Sequence, residues 1–129
     1  MRHTKLDMTP GQFRALGHRL VDRIAEQMAH MPQGLVKPDE TGEAVRTALR
    51  AERALPDNGS DPEDVLANAA DLLFRHSLFN GHPRFLGYIT SSPAPIGMLG
   101  DLLAAAVNPN CGGWTLAPMA SEIAADTIT

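Results

Sequence analysis

Apolar residues recur at three- and four-residue steps in the first part of the chain, which is the spacing of one helix face. They are Phe13, Leu16, Leu20, Ile24 and Met28. Thr9 and Gln12 can form a capping box, with Pro10 at the first helical position. Pro32 marks the end of the helix. The pattern predicts an amphipathic helix from about Pro10 to His30. At about 30 Å, such a helix needs a large body to lie against.

Two more amphipathic helices are predicted further along the chain. One extends from Gly42 to Arg53, and the other follows a capping box at Ser60 to Glu63 and continues to about His76. The former is predicted to place Val45, Ala48 and Leu49 on its buried side. The amphipathic pattern of the latter is formed by Val65, Leu66, Ala69, Leu72 and Leu73. Asn80-Gly81 then forms a turn signal.

The residue types change between Gly81 and Pro95, from helices with charged faces to small, apolar and loop residues. A short extended run is predicted from Arg84 to Ile89, followed by a helix from Ile96 to Val107. That helix is apolar nearly all round, which predicts burial inside a larger body. A last helix is predicted from near Pro118 into Thr129. It has no glycine, proline or basic residue at its end, so we expect it to continue beyond this sequence.

The composition fits one folded domain rather than a disordered chain. Of the 129 residues, 43% are hydrophobic and 20% are charged, and a single cysteine excludes an internal disulfide. The net charge of −4 gives no basic face for nucleic acid. No apolar run reaches the roughly 18 to 20 residues of a membrane span, and no apolar signal region follows the charged start. We therefore expect no nucleic-acid partner, no membrane span and a cytoplasmic location.

Prolines, glycines and hydroxyl residues crowd the two loops that flank the apolar helix, at Thr90 to Pro95 and Asn108 to Thr115. This composition suits backbone that approaches a ligand closely. No nucleophile with a neighbouring base and no metal-ligand cluster accompanies the loops. Cys111 has no His or Lys nearby in the sequence to activate it, and His82, held by Pro83, is expected to make structural hydrogen bonds. The pattern indicates a substrate wall that belongs to a larger site.

An ordered series of motifs carries a resemblance to a known family. The motifs are His82-Pro83-Arg84-Phe85, Tyr88, the Ser/Thr/Pro turn, Met98-Leu99 with Asp101-Leu102-Leu103, and Gly113-Trp114 with Pro118 and Ser121-Glu122, preceded by Phe13-Arg14 and the run from Val21 to Ala25. In these features the chain resembles the group II pyridoxal-phosphate-dependent amino-acid decarboxylases, in particular the aromatic-L-amino-acid decarboxylases. The likeness covers nearly the whole chain from about Thr9.

The resemblance implies a fold and a place in a larger enzyme. The family has the α/β architecture of the fold type I pyridoxal-phosphate-dependent transferases, whereas the present chain is expected to be mostly α. Residues 1–90 correspond to a helical segment that packs across the dimer interface, and residues 91–129 correspond to the start of the large cofactor domain. The family's enzymes are several times longer, so we expect this chain to be an amino-terminal fragment.

The resemblance also implies pyridoxal 5'-phosphate as cofactor and the conversion of an L-amino acid to an amine and carbon dioxide. The family's cofactor lysine lies further along the chain than this sequence reaches. A Schiff-base lysine has to be desolvated beside the cofactor. Lys5 and Lys37 lie in polar surroundings of the sequence and are expected to be solvated surface charges. We therefore expect no catalytic residue and no activity in this chain alone.

The family's substrate-binding positions map onto two segments of this sequence. Tyr88 and Ser91 match residues that approach the substrate, with Ile89 and Thr90 between them on the same wall. Asn110 and Gly112 match a loop that reaches the neighbouring subunit's pocket and contacts the substrate side chain. Tyr88 favours the aromatic or aliphatic branch of the family. Asn110 and Gly112 instead describe a roomier, more polar pocket, so the identity of the amino acid stays open.

The resemblance implies a homodimer and an amino-acid substrate as partners. The main alternative is a helical dimerisation or interaction module without catalytic activity that reuses this segment. An independent small enzyme is the third possibility, and it is disfavoured because the chain lacks a base, a nucleophile or a metal set. Trp114 is interpreted as a packing anchor rather than a substrate contact.

Overall fold

The first helix begins and ends where its pattern predicts. The computed structural model describes residues 7–50, 54 and 57–128. Helix α1 spans Pro10–His30. The Thr9 N–H donates to Oε1 of Gln12 at 2.9 Å, and the Gln12 N–H donates to Oγ1 of Thr9 at 3.2 Å. The predicted capping box is therefore confirmed. A short 3-10 helix, Met31–Gln33, continues the chain to Gly34.

The second helix, α2, is shorter than predicted. It spans Gly42–Leu49, and Oγ1 of its N-cap Thr41 accepts a hydrogen bond from the Ala44 N–H at 3.1 Å. Arg50 takes a left-handed conformation with φ of 55°, and this conformation ends the helix. Residues 51–53, over which the predicted helix continues, lie outside the described residues.

The third helix, α3, spans Pro62–His76 and begins with a different cap from the predicted one. The cap is Asp61, whose Oδ1 accepts a hydrogen bond from the Glu63 N–H at 2.8 Å. The capping box predicted from Ser60 is therefore wrong. Pro62 occupies the first helical position, where a missing N–H costs nothing, and the residue immediately before it becomes the cap.

The chain divides into two compact units, with the boundary between Ser92 and Pro93. The first unit is built on the packing of α1 against α3, and α2 also contacts α3. Arg23 of α1 joins the two main helices, because its guanidinium pairs with Asp71 and donates to the Ala67 carbonyl at 3.1 Å. A charged side chain thus spans the helix pair by ion pairing and by capturing a backbone carbonyl.

The loop between α1 and α2 is held against the end of α3 and the segment that follows it. The Phe79 N–H donates to the Val36 carbonyl at 3.0 Å. Nδ1 of His76 lies 2.7 Å from Oε2 of Glu40, and both side chains are mostly shielded from solvent. These contacts join parts of the chain that lie far apart in the sequence, so the loop is part of the unit's framework.

The second unit consists of two helices and the loop between them. Helix α4 spans Pro95–Val107 and α5 spans Pro118–Ile128, with a 3-10 helix, Trp114–Leu116, between them. Asn108 caps the carboxyl end of α4 in a left-handed conformation with φ of 46°, and its N–H donates to the Ala104 carbonyl at 2.8 Å. Asparagine tolerates this conformation better than most residues. The final predicted residue, Thr129, lies outside the described part.

Few side chains are buried in either unit. Among the described residues, the buried ones are Ala70, Ala117 and His82. The buried side predicted for α2 is wrong, because Leu49 is 61% exposed and Val45 is exposed as well. Helix α4 is exposed along most of its length, so the described residues do not supply the burial that its apolar composition predicts.

All regular elements in the described ranges are helices, as expected for the chain as present. The α/β architecture of the resembled family is not tested by these helices and stays an expectation. Within the same ranges, no helix combines the length and the apolar character needed to cross a membrane.

Candidate functional site

A tight turn introduces the first predicted substrate segment. The His82 N–H donates to the Phe79 carbonyl at 3.0 Å, which closes a turn around Asn80-Gly81. The turn predicted from this dipeptide is confirmed. A Cβ added to Gly81 would lie 3.3 Å from Cβ of Ser92 and 3.6 Å from Sδ of Met31. The absence of a side chain at Gly81 therefore lets Ser92 approach, and the two ends of the loop formed by residues 81–92 meet.

His82 anchors this loop from inside the unit. Its side chain is buried, with the residue only 2% exposed. Nδ1 accepts a hydrogen bond from the Arg84 N–H at 3.0 Å, and Nε2 lies 3.3 Å from the Gly34 carbonyl. Because a carbonyl only accepts and an amide N–H only donates, these partners assign a neutral imidazole with its proton on Nε2. The structural hydrogen-bonding role expected for His82 is confirmed.

Arg84 reinforces the same anchor. Its guanidinium Nη2 donates to the Gly34 carbonyl at 2.7 Å, so this one oxygen accepts from both His82 and Arg84. The Phe85 N–H donates to the His82 carbonyl at 2.9 Å and closes a second turn, with Pro83 at its second position. The extended run predicted from Arg84 is therefore wrong, because the hydrogen bonds of His82 fold its beginning into a turn.

The candidate contact residues follow this turn on an exposed stretch of the loop. Tyr88 has a φ of 59° and is 86% exposed. Its ring lies 6.3 Å from the Phe85 ring, centroid to centroid, with the planes tilted by 36°. A left-handed conformation is uncommon for a bulky residue and costs of order 1 kcal/mol. Ile89 is fully exposed, and Thr90 and Ser91 are exposed as well. All of the predicted residues from Tyr88 to Ser91 are thus accessible to a ligand.

The second predicted segment is organised by short-range contacts. Oδ1 of Asn110 accepts a hydrogen bond from the Gly112 N–H at 3.0 Å, which forms a turn closed by a side chain. A Cβ added to Gly112 would lie 3.0 Å from that same Oδ1. Cys111 between them is exposed. The predicted pair therefore interacts directly, and any side chain at position 112 must displace the amide of Asn110.

Trp114 does not pack as predicted. It is 58% exposed, and its indole N–H donates to a carboxylate oxygen of Glu122. This bond links the 3-10 helix to α5. The prediction that Trp114 is a packing anchor is therefore wrong for the described residues, in which its indole N–H makes a hydrogen bond and most of its surface is exposed.

The structure places the predicted site residues in two groups. Residues 88–91 lie together on the loop of the first unit, and Asn110 with Gly112 lies on the loop of the second unit. Within each group the residues are close in the sequence as well as in space.

Sequence reasoning missed the groove at the end of α1. This cavity of about 270 Å³ lies in the first unit. It is lined by Gln27, His30, Met31, Gly34, Leu35, Pro38, Phe74, Arg75 and Phe79. None of the predicted substrate-contact residues lines it. The apolar residues that follow Pro32 could have indicated this groove, because apolar residues in a loop usually pack against another surface.

Of the two lysines in the sequence, Lys37 lies within the described residues. Lys37 is exposed on the loop between α1 and α2, as expected for a solvated charge. Lys5 lies outside the described residues. Within the described ranges, no three His, Cys, Asp or Glu side chains are placed to hold a metal ion.

Similarity to known proteins extends over almost the entire chain. No protein-family model matches it. The chain is 28% identical over 123 residues to the aromatic-L-amino-acid decarboxylase of Bacillus atrophaeus, covering 95% of this chain. It is 31% identical over 125 residues to a tyrosine decarboxylase of Oryza sativa subsp. japonica, covering 93% of this chain. It is also 29% identical over 123 residues to a phenylacetaldehyde synthase of Petunia hybrida, covering 90% of this chain.

The chain spans about a quarter of the length of these relatives, between 22% and 25% of each. The relatives include two amino-acid decarboxylases, one for aromatic amino acids and one for tyrosine. These similarities confirm the resemblance to the aromatic-L-amino-acid decarboxylases that the motifs indicate.

Proposed function

We propose that this chain is the amino-terminal part of a pyridoxal-phosphate-dependent amino-acid decarboxylase, in which it supplies part of the dimer interface and part of the substrate wall. The observation that carries the proposal is the similarity over 95% of the chain to an aromatic-L-amino-acid decarboxylase. A second relative, the tyrosine decarboxylase, supports an amino acid as substrate.

The exposed loop supplies the groups that a decarboxylating site needs on its wall. The Tyr88 hydroxyl and the Ser91 hydroxyl are donors for the substrate. Ile89 adds apolar surface where carbon dioxide leaves. Loss of carbon dioxide is favoured when the carboxylate is poorly solvated, because the reaction disperses its charge. All three side chains are exposed on the described loop, so they are accessible to a substrate that binds there.

The second loop is proposed to contact the substrate side chain. Oδ1 of Asn110 is engaged by the Gly112 N–H, so its amide nitrogen stays available to donate to a ligand. Gly112 adds no side chain and leaves room beside the amide. The pocket proposed from these two residues is roomy and polar. Tyr88 favours an aromatic or aliphatic amino acid, in agreement with the named substrates of the relatives.

The described residues do not fit the cofactor-binding lysine of such an enzyme. Lys37 is exposed, whereas a Schiff-base lysine needs a desolvated position. We therefore propose that the cofactor lysine belongs to a part of the enzyme that this sequence does not contain. The 129-residue chain, mixed with pyridoxal phosphate and dialysed, is expected to retain no stoichiometric cofactor absorbance. Retained absorbance that disappears in Lys37→Ala would contradict this placement.

Exposed apolar side chains support association into a dimer. Phe13 on α1, Leu73 on α3, and Leu99 and Leu103 on α4 are all exposed. Monomers seldom leave so much apolar surface open. Light scattering of the 129-residue chain is expected to give at least twice the monomer mass. A well-folded monomer at all concentrations would argue against the dimer.

A chimera tests the proposed function directly. This chain would replace the matching segment of the Bacillus atrophaeus enzyme, and the product would be assayed for amine and carbon dioxide from aromatic amino acids. We expect a dimer that decarboxylates. The control is the same enzyme without the segment, which should be inactive. A folded chimera that dimerises and binds the cofactor but releases no carbon dioxide would instead favour the helical interaction module.

A further inference from the structure

We propose that His82 is a positioning residue, which bridges the Gly34 carbonyl to the Arg84 amide and thereby sets the place of Tyr88 on the loop. This role rests on the proposed function, because that function brings Tyr88 to the substrate. His82 is not proposed to contact the substrate itself.

The burial and bonding of His82 show that the imidazole is a fixed link. It is the buried polar side chain among the described residues, and both of its ring nitrogens have protein partners. Buried imidazole nitrogens that lose their partners pay the full cost of desolvation. The ring is therefore held in one orientation and one tautomer by Gly34 on one side and Arg84 on the other.

The link joins two parts of the chain that are distant in the sequence. Gly34 follows α1 and the short 3-10 helix, which belong to the helical framework of the first unit. Arg84 and Phe85 form the turn that begins the exposed loop. Because the Gly34 carbonyl also accepts from the Arg84 guanidinium, the turn is attached to the framework by two hydrogen bonds at one oxygen.

The attachment of the turn to the framework also restricts the position of Tyr88. The Phe85 N–H is bonded to the His82 carbonyl, and the Phe85 ring contacts the Tyr88 ring. At the other end of the loop, Ser92 lies against Gly81. Compact loops whose ends meet in this way are frequently functional. Tyr88, in its uncommon left-handed conformation, depends on such surrounding contacts to stay there.

The single tyrosine of the sequence makes the proposal measurable without an enzyme assay. Selective isotope labelling of tyrosine in the 129-residue chain gives NMR signals from Tyr88 alone. In the unchanged protein, we expect ring signals displaced from their positions in urea and a nuclear Overhauser contact with Phe85. In His82→Ala, we expect the Tyr88 signals to move to their urea positions and the contact to vanish. Circular dichroism should still report the helices.

Two further variants separate positioning from general stability. His82→Asn keeps an acceptor for the Arg84 N–H, because Asn side chains bond to the backbone two residues on. The asparagine side chain is shorter than that of histidine, so it cannot reach the Gly34 carbonyl. Its Tyr88 signals are expected between those of the unchanged protein and His82→Ala. The control, His30→Ala, changes an exposed histidine whose ring, among the described residues, bonds within its own helix to the Glu26 carbonyl at 2.8 Å. It should leave the Tyr88 signals unchanged.

Tyr88 signals in His82→Asn that match those of the unchanged protein would overturn the proposal, and so would equal effects of His82→Ala and His30→Ala. If His82→Ala loses its helical signal, the His82→Asn result decides. Because no substrate or cofactor enters the measurement, an inactive chimera would refute the proposed function without touching this result.

Discussion

The two segments with predicted substrate contacts are held in place by different kinds of interaction. The loop of residues 81–92 depends on hydrogen bonds from His82 and Arg84 to Gly34, about 50 positions earlier in the chain. The loop that contains Asn110 and Gly112 depends on a side-chain turn two residues long and on the cap at Asn108. Long-range contacts therefore place the first segment, and local chemistry shapes the second.

The difference predicts how each segment responds to change. A loop held by distant partners is displaced when packing at its ends is disturbed, and its ligand groups move together. A loop held by local turns keeps its shape unless the turn residues themselves change.

The largest expected effect is on stability, at the closed end of the first loop. Gly81→Val forces branched atoms against Ser92, where even a Cβ would lie 3.3 Å from the Ser92 Cβ. We expect it to reduce the free energy of unfolding by about 1–3 kcal/mol, the usual cost of overpacking. Urea denaturation followed by circular dichroism measures this change.

Gly113→Val is the matched control in the second loop. The nearest heavy atom to a Cβ at Gly113 is Cδ1 of Leu116 at 3.8 Å, and the backbone is extended, which valine accepts readily. We expect a change within about 0.5 kcal/mol. Equal losses in the two variants would show that the loops do not differ in the way proposed.

The next effect concerns catalysis by the chimera. Tyr88→Phe and Ser91→Ala each remove one hydroxyl from the exposed wall. We expect kcat/KM to fall by about tenfold, which corresponds to about 1.4 kcal/mol, the value of one hydrogen bond to a substrate. Cofactor absorbance and helix content should stay the same. Leu86→Ala, at an equally exposed neighbour without a polar group, is the control and should have little effect.

The smallest expected effect is a change in substrate preference through the second loop. Gly112→Phe displaces the Asn110 amide, whose Oδ1 would lie 3.0 Å from the new Cβ, and fills the space proposed for the substrate side chain. We expect kcat/KM for large amino acids to fall relative to small ones by several-fold, with the reaction retained. Gly113→Phe, where only Leu116 lies near, is the control. An unchanged ratio in Gly112→Phe would remove this loop from the substrate pocket.

Local features of the structure were the most accessible to prediction. The start of α1 and its capping box follow from Thr9, Pro10 and Gln12, because a cap is formed by residues a few positions apart. The turn at Asn80-Gly81 was predicted for the same reason. Even locally, one choice failed at α3, where Pro62 made Asp61 rather than Ser60 the cap.

The sequence by itself determined the helices, most of their ends and the resemblance that identifies the candidate wall. Only the tertiary structure decided that the segment beginning at Arg84 turns instead of extending, and that Tyr88 adopts a left-handed conformation. The reason for the turn is that His82 bonds to the Arg84 and Phe85 amides, and its ring also bonds to Gly34, a partner that no local spacing reveals. Periodicity reports on neighbours along the chain, whereas the position of an irregular loop is set by whichever distant groups satisfy its polar atoms.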